Sequence, residues 1–296
     1  MSGPAPLIDR GVGEPPRPGI PIEVAPAVIR LTAPNPSMMT GPGTNSYLIG
    51  DRSLIVVDPG PDDATHRRRL VELVAGRQVT AIVVTHTHPD HAPGAQRLAA
   101  VLGAAKMGFA SGPDFEPDRR LVDGERLDAD GRELLALHTP GHASDHLCYL
   151  LEEEGLIFTG DHLMQGSTVV IRPPDGDLGA YLDSLVRLRS IEPTLRAVAP
   201  GHGRIIADPI GAIDDVVAHR LAREVIVEDA LIAAGTATAP SLLDAVYPGL
   251  DEPRRDVATA TLWAHLRHLV SQGRATTDGG LDETGLAASF SSSTEP

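Results

Sequence analysis

The chain has 296 residues, 42% of them hydrophobic, with 40 acidic against 25 basic side chains and a formal net charge of −15. That length fits one large domain, or a domain of about 200 residues with an appendage. A surface this acidic repels polyanions over long range, which disfavours extended double-stranded nucleic acid and leaves only a local groove for a short single strand.

Residues 1–24 are rich in Pro and Gly and lack the apolar segment of a secretory signal, so they read as an extended arm laid on the surface. Strands are predicted over 27–31, 46–50 and 53–60, the last ending in "VVDPG" with Asp58. "THRRRLVELVAG" (65–76) has apolar residues at helical spacing, with "HRRR" (66–69) as its solvated face. A strand at 81–85 runs into "THTHPDH", and a helix follows near 95–103. Further strands are predicted at 134–139, 146–152, 156–160 and 196–201, with a helix over 178–191. Strands and helices alternate, and polar residues collect just past strand ends, which suggests a layered α/β domain over 25–208 with a site at one edge.

Beyond Gly203 the pattern becomes helical. A long amphipathic helix is predicted over 210–234, then a short helix, then "ATATLWAHLRHLVSQG" and a hairpin-like stretch at 274–280. Residues 209–285 therefore read as a helical, winged-helix-like domain, and 286–296 as a flexible tail. Trp263 lies at helical spacing with Leu262, Leu266 and Leu269, which places it in a core rather than on a base-stacking platform. No apolar run approaches the roughly 20 residues of a membrane span. Cys148, the single cysteine, sits in an apolar run as a buried thiol, and the absence of an internal disulfide points to a reducing, cytoplasmic setting.

The chemistry gathers at strand ends. His86 and His88 are two apart, which places them on one side of an extended turn, and Pro89 then bends the chain so that Asp90 and His91 address a second position. His138, His142 and His146 follow one apolar run, Asp161 and His162 a second, and His202 a third. Neutral imidazole with carboxylate suits Zn(II), and also Mn(II) or Fe(II).

The motifs T-H-T-H-P-D-H (85–91), T-P-G-H (139–142), F-T-G-D (158–161) and P-G-H-G (200–203), with V-V-D-P-G (56–60) upstream, resemble the metallo-β-lactamase fold superfamily over residues 25 to 208. The resemblance implies an αββα sandwich holding two divalent ions, zinc first among the candidates. One would be held by His86, His88 and His142, the other by Asp90, His91 and His202, with Asp161 bridging both and Asp58 bracing the site. Such a pair would lower the pKa of a bridging water and polarise the scissile oxygen, with Asp90 as the catalytic carboxylate and His162 or His146 as a second-shell group or proton donor.

Asp161 in F-T-G-D matches glyoxalase II-like thioesterases and metallo-ribonucleases, and argues against a β-lactam substrate. "NPSMMTGPGTNSYLIG" (35–50) together with the helical tail looks like the β-lactamase-like protein 2 branch, which spans phosphodiester and thioester chemistry. Thr87 replaces the bulky aromatic that this branch often carries between its two histidines. The expected activity is metal-dependent hydrolysis of a thioester or carboxylic ester on a small-molecule or acyl-thioester substrate. The alternative is a single-strand endoribonuclease acting on short RNA, which the charge and the 3% aromatic content weaken. An iron dioxygenase of the same fold is disfavoured by the complete set of seven ligand positions.

Overall fold

A computed structural model describes residues 3–191, 194–279 and 286–293. Elements are numbered in chain order. The arm contributes β1 (Gly11–Val12). The first sheet contains β2 (Ile22–Ala25), β3 (Val28–Thr32), β4 (Asn45–Ile49), β5 (Ser53–Val57), β6 (Gln78–Val83), β7 (Ala105–Gly108) and β8 (Arg119–Arg120), in that spatial order. The second contains β9 (Arg126–Ala129), β10 (Arg132–His138), β11 (Leu147–Leu151), β12 (Leu156–Gly160), β13 (Ala197–Pro200) and β14 (Ile205–Ile206), with β1 against β14 at one edge.

Side-chain alternation along the strands divides the core into three layers. Tyr47, Ile49, Val57 and Val83 face Leu134, Ala136, Tyr149 and Phe158 between the sheets. Leu48, Val56 and Ile82 point the other way, onto Leu70 and Val74 of α1 (Ala64–Val74) and Leu98 of α2 (Gly94–Leu102). Cys148, Leu150 and Ile157 meet Tyr181 and Leu185 of α3 (Leu178–Arg189) and Ile213 of α4 (Pro209–Ala234). The order is helix, sheet, sheet, helix, so both faces of each sheet are covered and central strands such as β4, β11 and β12 are buried along their whole length. Cys148 is buried, as its apolar run predicts.

α4 continues past the sandwich into a separate core with α5 (Ala239–Val246), α6 (Arg255–Ser271) and a small sheet of β15 (Thr236–Ala237), β16 (Ala275–Thr277) and β17 (Phe290–Ser292). A capping box joins Thr238 and Ser241 at the start of α5. Trp263 is buried with Leu262, Leu266 and Leu269, in the core position that its helical spacing predicts.

Three expectations need correction. The flexible tail is not flexible throughout: Phe290–Ser292 pairs with both β15 and β16, and Phe290 is fully buried among Leu242, Trp263 and Leu266. Residues 280–285 and 294–296 of the expected wing and tail lie outside the described residues. The arm is built into the sandwich, because β1 extends the second sheet and β2 extends the first before residue 25. The face of α1 carrying "HRRR" is not wholly solvated either, since His66 is buried with its Nε2 2.8 Å from Ser46 Oγ.

Candidate metal centre

Parallel pairing delivers the ligand loops to one edge. β5 runs parallel to β6, and β12 to β13, so the segments carrying Asp58, His86, Asp161 and His202 all leave at the same ends of their strands. The sheets are locked together there. Leu147 N–H donates to Thr85 O at 2.6 Å, Tyr149 Oη–H to Val84 O at 2.7 Å, and Tyr47 Oη–H and Asn45 Nδ2–H to Pro200 O at 2.8 and 3.1 Å. Gly201 lies where a Cβ would come within 2.7 Å of His91 Cε1 and 2.8 Å of Asp161 Oδ1, so only glycine lets this backbone approach the ligands.

Two groups result, each with ligand atoms within 4.8 Å of one another. In the first, His88 Nδ1 lies 2.9 Å from His86 Nε2 and 3.0 Å from His142 Nε2. In the second, His202 Nε2 lies 3.2 Å from both Asp90 Oδ2 and Asp161 Oδ1, and His91 Nε2 lies 3.5 and 3.3 Å from the same two atoms. The other oxygen of Asp161, Oδ2, faces the first group, 3.7 Å from His142 Nε2.

The donors fit divalent ions. Three imidazole nitrogens converge in the first group, and neutral rings bring more lone pairs there than protons. In the second group, His91 Nε2 and Asp161 Oδ1 are buried without a hydrogen-bond partner, an arrangement native interiors rarely tolerate. A tetrahedral ion with Zn–N distances of about 2.0–2.1 Å holds its donor atoms about 3.3 Å apart, close to the spacings of the second group.

Around these donors, other polar groups fix ring orientation. Asp58 Oδ2 accepts from Thr85 Oγ1–H and lies 2.8 Å from His91 Nδ1, while Asp58 Oδ1 accepts from Thr85 N–H at 2.7 Å. A proton held on His91 Nδ1 leaves the Nε2 lone pair directed into the second group. Val170 O, 2.6 Å from His142 Nδ1, and Gly43 O, 3.2 Å from His202 Nδ1, do the same for those rings. His86 Nδ1 rests 3.0 Å from Thr85 Oγ1.

Electrostatics separates the groups. Burial pushes the His86 pKa well below the ordinary imidazole value and that of His142 down to about 4, so these two rings favour the neutral form that binds a cation. Burial also opposes charge on His91 and His202, but the carboxylates of Asp90 and Asp161 outweigh it. His91 is raised well above the ordinary value, and His202 to about 9. Burial likewise works against ionised Asp161 and Asp90, yet the neighbouring imidazoles win, holding Asp161 well below the carboxylate range and Asp90 at about 2. Without a cation, protons on His91 and His202 balance these carboxylates.

The remaining predicted histidines sit elsewhere. His146 and His162 are fully buried in a column of rings behind His86, with centroids 5.0 Å apart for His86–His146 and 5.6 Å for His146–His162. Burial pushes the His162 pKa down to about 3, and neither ring lines a cavity at the metal groups. Both pack behind the ligands, in the supporting position that the sequence allows for them. His138 stacks on Phe109 at 3.9 Å.

Two cavities open onto the ligands, one of ≈ 400 Å³ reaching His88, Asp90 and His202, and one of ≈ 350 Å³ running from His142 and Asp161 towards α4 and α6. Met39, Val170 and Val257 line both. The second also meets Arg220 and Arg223, which the sequence reading passed over: they lie inside an ordinary-looking helix with no motif around them.

The family model of the metallo-beta-lactamase superfamily matches residues 39–202, and that of the beta-lactamase associated winged helix domain matches 238–283. The chain belongs to the metallo-beta-lactamase superfamily and is a metallo-hydrolase with an associated winged helix domain. It is 34% identical to an atrochrysone carboxyl ACP thioesterase of Aspergillus chevalieri over 74% of this chain and 70% of that one. It is 29% identical to the beta-lactamase-like protein 2 homolog of Drosophila melanogaster, over 87% and 92% of the respective chains. A crystal structure of a metallo-beta-lactamase family protein from Thermus thermophilus superposes with a TM-score of 0.74 and 27% identity, covering 91% of this chain and all of that one. Matches to several fungal lactamase-like relatives span less than two thirds of those proteins' length. No helix among the described residues is long and apolar enough to cross a membrane.

Proposed function

We propose that the protein hydrolyses an ester-type bond, a thioester or carboxylic ester, at a centre of two divalent metal ions, with zinc as the expected metal. His86, His88 and His142 would hold one ion, Asp90, His91 and His202 the other, and Asp161 both. The observation that carries this reading is the disposition of Asp161, whose Oδ1 lies among the second group and whose Oδ2 faces the first. Two such ions, when bound, polarise a carbonyl oxygen and acidify water.

The chain's own residues do the rest. Asp58 keeps the His91 tautomer through its 2.8 Å contact with Nδ1. Asp90 is more exposed than Asp161 and lines the larger cavity, so it is the carboxylate placed to orient an attacking water and take its proton. Met39, Val170 and Val257 give the cavity beside it an apolar side for the substrate's carbon chain. The thioesterase name of one relative supports a thioester over a phosphodiester. So does the burial of Trp263, Phe115 and Tyr181, which removes them as platforms for unpaired bases.

The test is metal analysis joined to a substrate panel. Two zinc or manganese ions per chain, with chelator-sensitive turnover of acyl thioesters that Asp161→Ala abolishes, is the expected result. Metal-dependent cleavage of unstructured RNA with no thioester turnover would replace the reading with the ribonuclease one. A single iron with oxygen uptake would overturn hydrolysis.

A further inference from the structure

The two cavities share the metal ligands His142 and Asp161 and diverge from there, so substrate on the centre has two arms to occupy. The arms differ in charge. In the one reaching His88, Arg172 is paired with Asp256 at 2.6 Å, and Asp175 lines the same wall. The other is lined by Arg220, Arg223 and Arg254, and its only carboxylate is the metal ligand Asp161. Among the described residues no carboxylate pairs with any of these three arginines. This occurs in a protein with 40 acidic and 25 basic side chains.

Arg220 is the most telling of the three. It is 3% exposed, its Nε is buried without a hydrogen-bond partner, and its other contacts are the Val169 carbonyl and the face of Tyr181, 5.6 Å from its guanidinium carbon. A buried guanidinium held by a carbonyl and by Tyr181, with no carboxylate beside it, is under-compensated. Arg223, half-buried, donates to Val246 O at 2.8 Å and lies 4.3 Å over the Tyr247 ring, so it too is held in place without being neutralised. Preorganised, unpaired arginines are what a carboxylate or phosphate needs for recognition. Apart from Ser167, Thr168, Thr261 and His219, the rest of the lining is mainly apolar, with Met38, Met39, Leu250 and Val257 among it.

We propose that this arm is an anion subsite: the substrate carries, on one side of the scissile carbonyl, an apolar stem ending in a carboxylate or phosphate received by Arg220, Arg223 and Arg254. The inference rests on the ester-hydrolase reading above and adds to it the substrate's charge. The anion has two possible sources, a carboxylate at the far end of the acyl chain or a phosphate on the thiol side.

The test uses the full-length, metal-loaded protein and three thioesters. Hexanoyl-N-acetylcysteamine is neutral, adipoyl-N-acetylcysteamine adds an acyl carboxylate, and hexanoyl-CoA adds phosphates on the leaving group. We expect one of the two anionic substrates to be preferred over the neutral one at least tenfold in kcat/KM. Which of them is preferred identifies the source. Arg223→Gln should reduce that preference at least tenfold, mainly through KM, and Arg223→Lys should restore part of it. Arg254→Gln, at an exposed position, gives a second variant with little risk to folding. No preference for either anion, or a preference unchanged in both Gln variants, overturns the subsite. If none of the three esters turns over, calorimetric titration with adipate and with inorganic phosphate decides separately. A tenfold weaker Kd in Arg223→Gln upholds the subsite while the ester reading falls, and equal or absent binding in wild type and variant removes it.

Discussion

Asp58→Asn perturbs one atom of the site and has a directed consequence. Asp58 is buried and receives Thr85 N–H at 2.7 Å, Thr85 Oγ1–H at 2.8 Å and the Nδ1 side of His91 at 2.8 Å. The asparagine oxygen can keep the Thr85 N–H, but its amide then presents N–H to His91 Nδ1. That ring must place its proton on Nε2, the atom 3.3 Å from Asp161 Oδ1, and so ceases to be a ligand. Loss of such a partner costs about 10- to 100-fold in metal affinity, or about 1.4 to 2.8 kcal/mol. The loss should fall on the second group, because Asp58 touches none of the first-group rings directly: His142 Nδ1 meets Val170 O and His86 Nδ1 meets Thr85 Oγ1. Metal analysis after dialysis against a weak chelator should then find about one ion per chain in the variant and two in the parent, with circular dichroism unchanged. Equal content and equal affinity for both ions in Asp58→Asn would refute the orienting role.

Gly201→Ala places a methyl within 3 Å of His91 and Asp161, so kcat/KM should fall about 10²-fold with the fold retained, as read by kinetics and near-ultraviolet dichroism. Metal binding should release protons and weaken as pH falls. Burial opposes charge on His202, but Asp161 and Asp90 raise its pKa to about 9. Without metal it is protonated below that value and must lose its proton to bind, so this proton alone should lower apparent affinity by up to about tenfold per pH unit below 9, and any proton displaced from His91 adds to the slope. Calorimetry in buffers of different ionisation enthalpy reads this directly. By the same sign, the His202 contribution to metal-free stability is full below 6.5 and disappears as pH rises through 9. Phe290→Ala empties a site in the C-terminal core and should cost about 3–5 kcal/mol in denaturant unfolding. A flexible tail would show no change.

Much of the centre is legible in the linear chain because the ligands follow the ends of apolar strands, from Asp161 directly after β12 to His91 in the loop after β6, and parallel pairing of β5 with β6 and β12 with β13 gathers those ends. The split into two groups follows from Pro89 turning the chain between His88 and Asp90. What a linear reading misses is decided by partners distant in sequence. His146 and His162 read from the chain as either support for the ligands or proton donors, and the packing of Tyr181 of α3 against His162, which puts them behind the ligands, is not visible in their spacing. His66 looks solvated until β4 brings Ser46 to it. Arg220 and Arg223 reach the site only because α4 runs from the sandwich into the second core, alongside a cavity that no local pattern announces. Strand β17 escapes notice because its short run of Phe and Ser gains its register from β15 and β16 rather than from its own periodicity.

The central claim is that two ions share Asp161. Diffraction from crystals of the metal-loaded protein, recorded at the absorption edge of the bound metal, tests it most directly. The account predicts two anomalous peaks per chain, one among His86, His88 and His142 and one among Asp90, His91 and His202, each in contact with a different oxygen of Asp161. A single peak, or a second one away from Asp161, would contradict it.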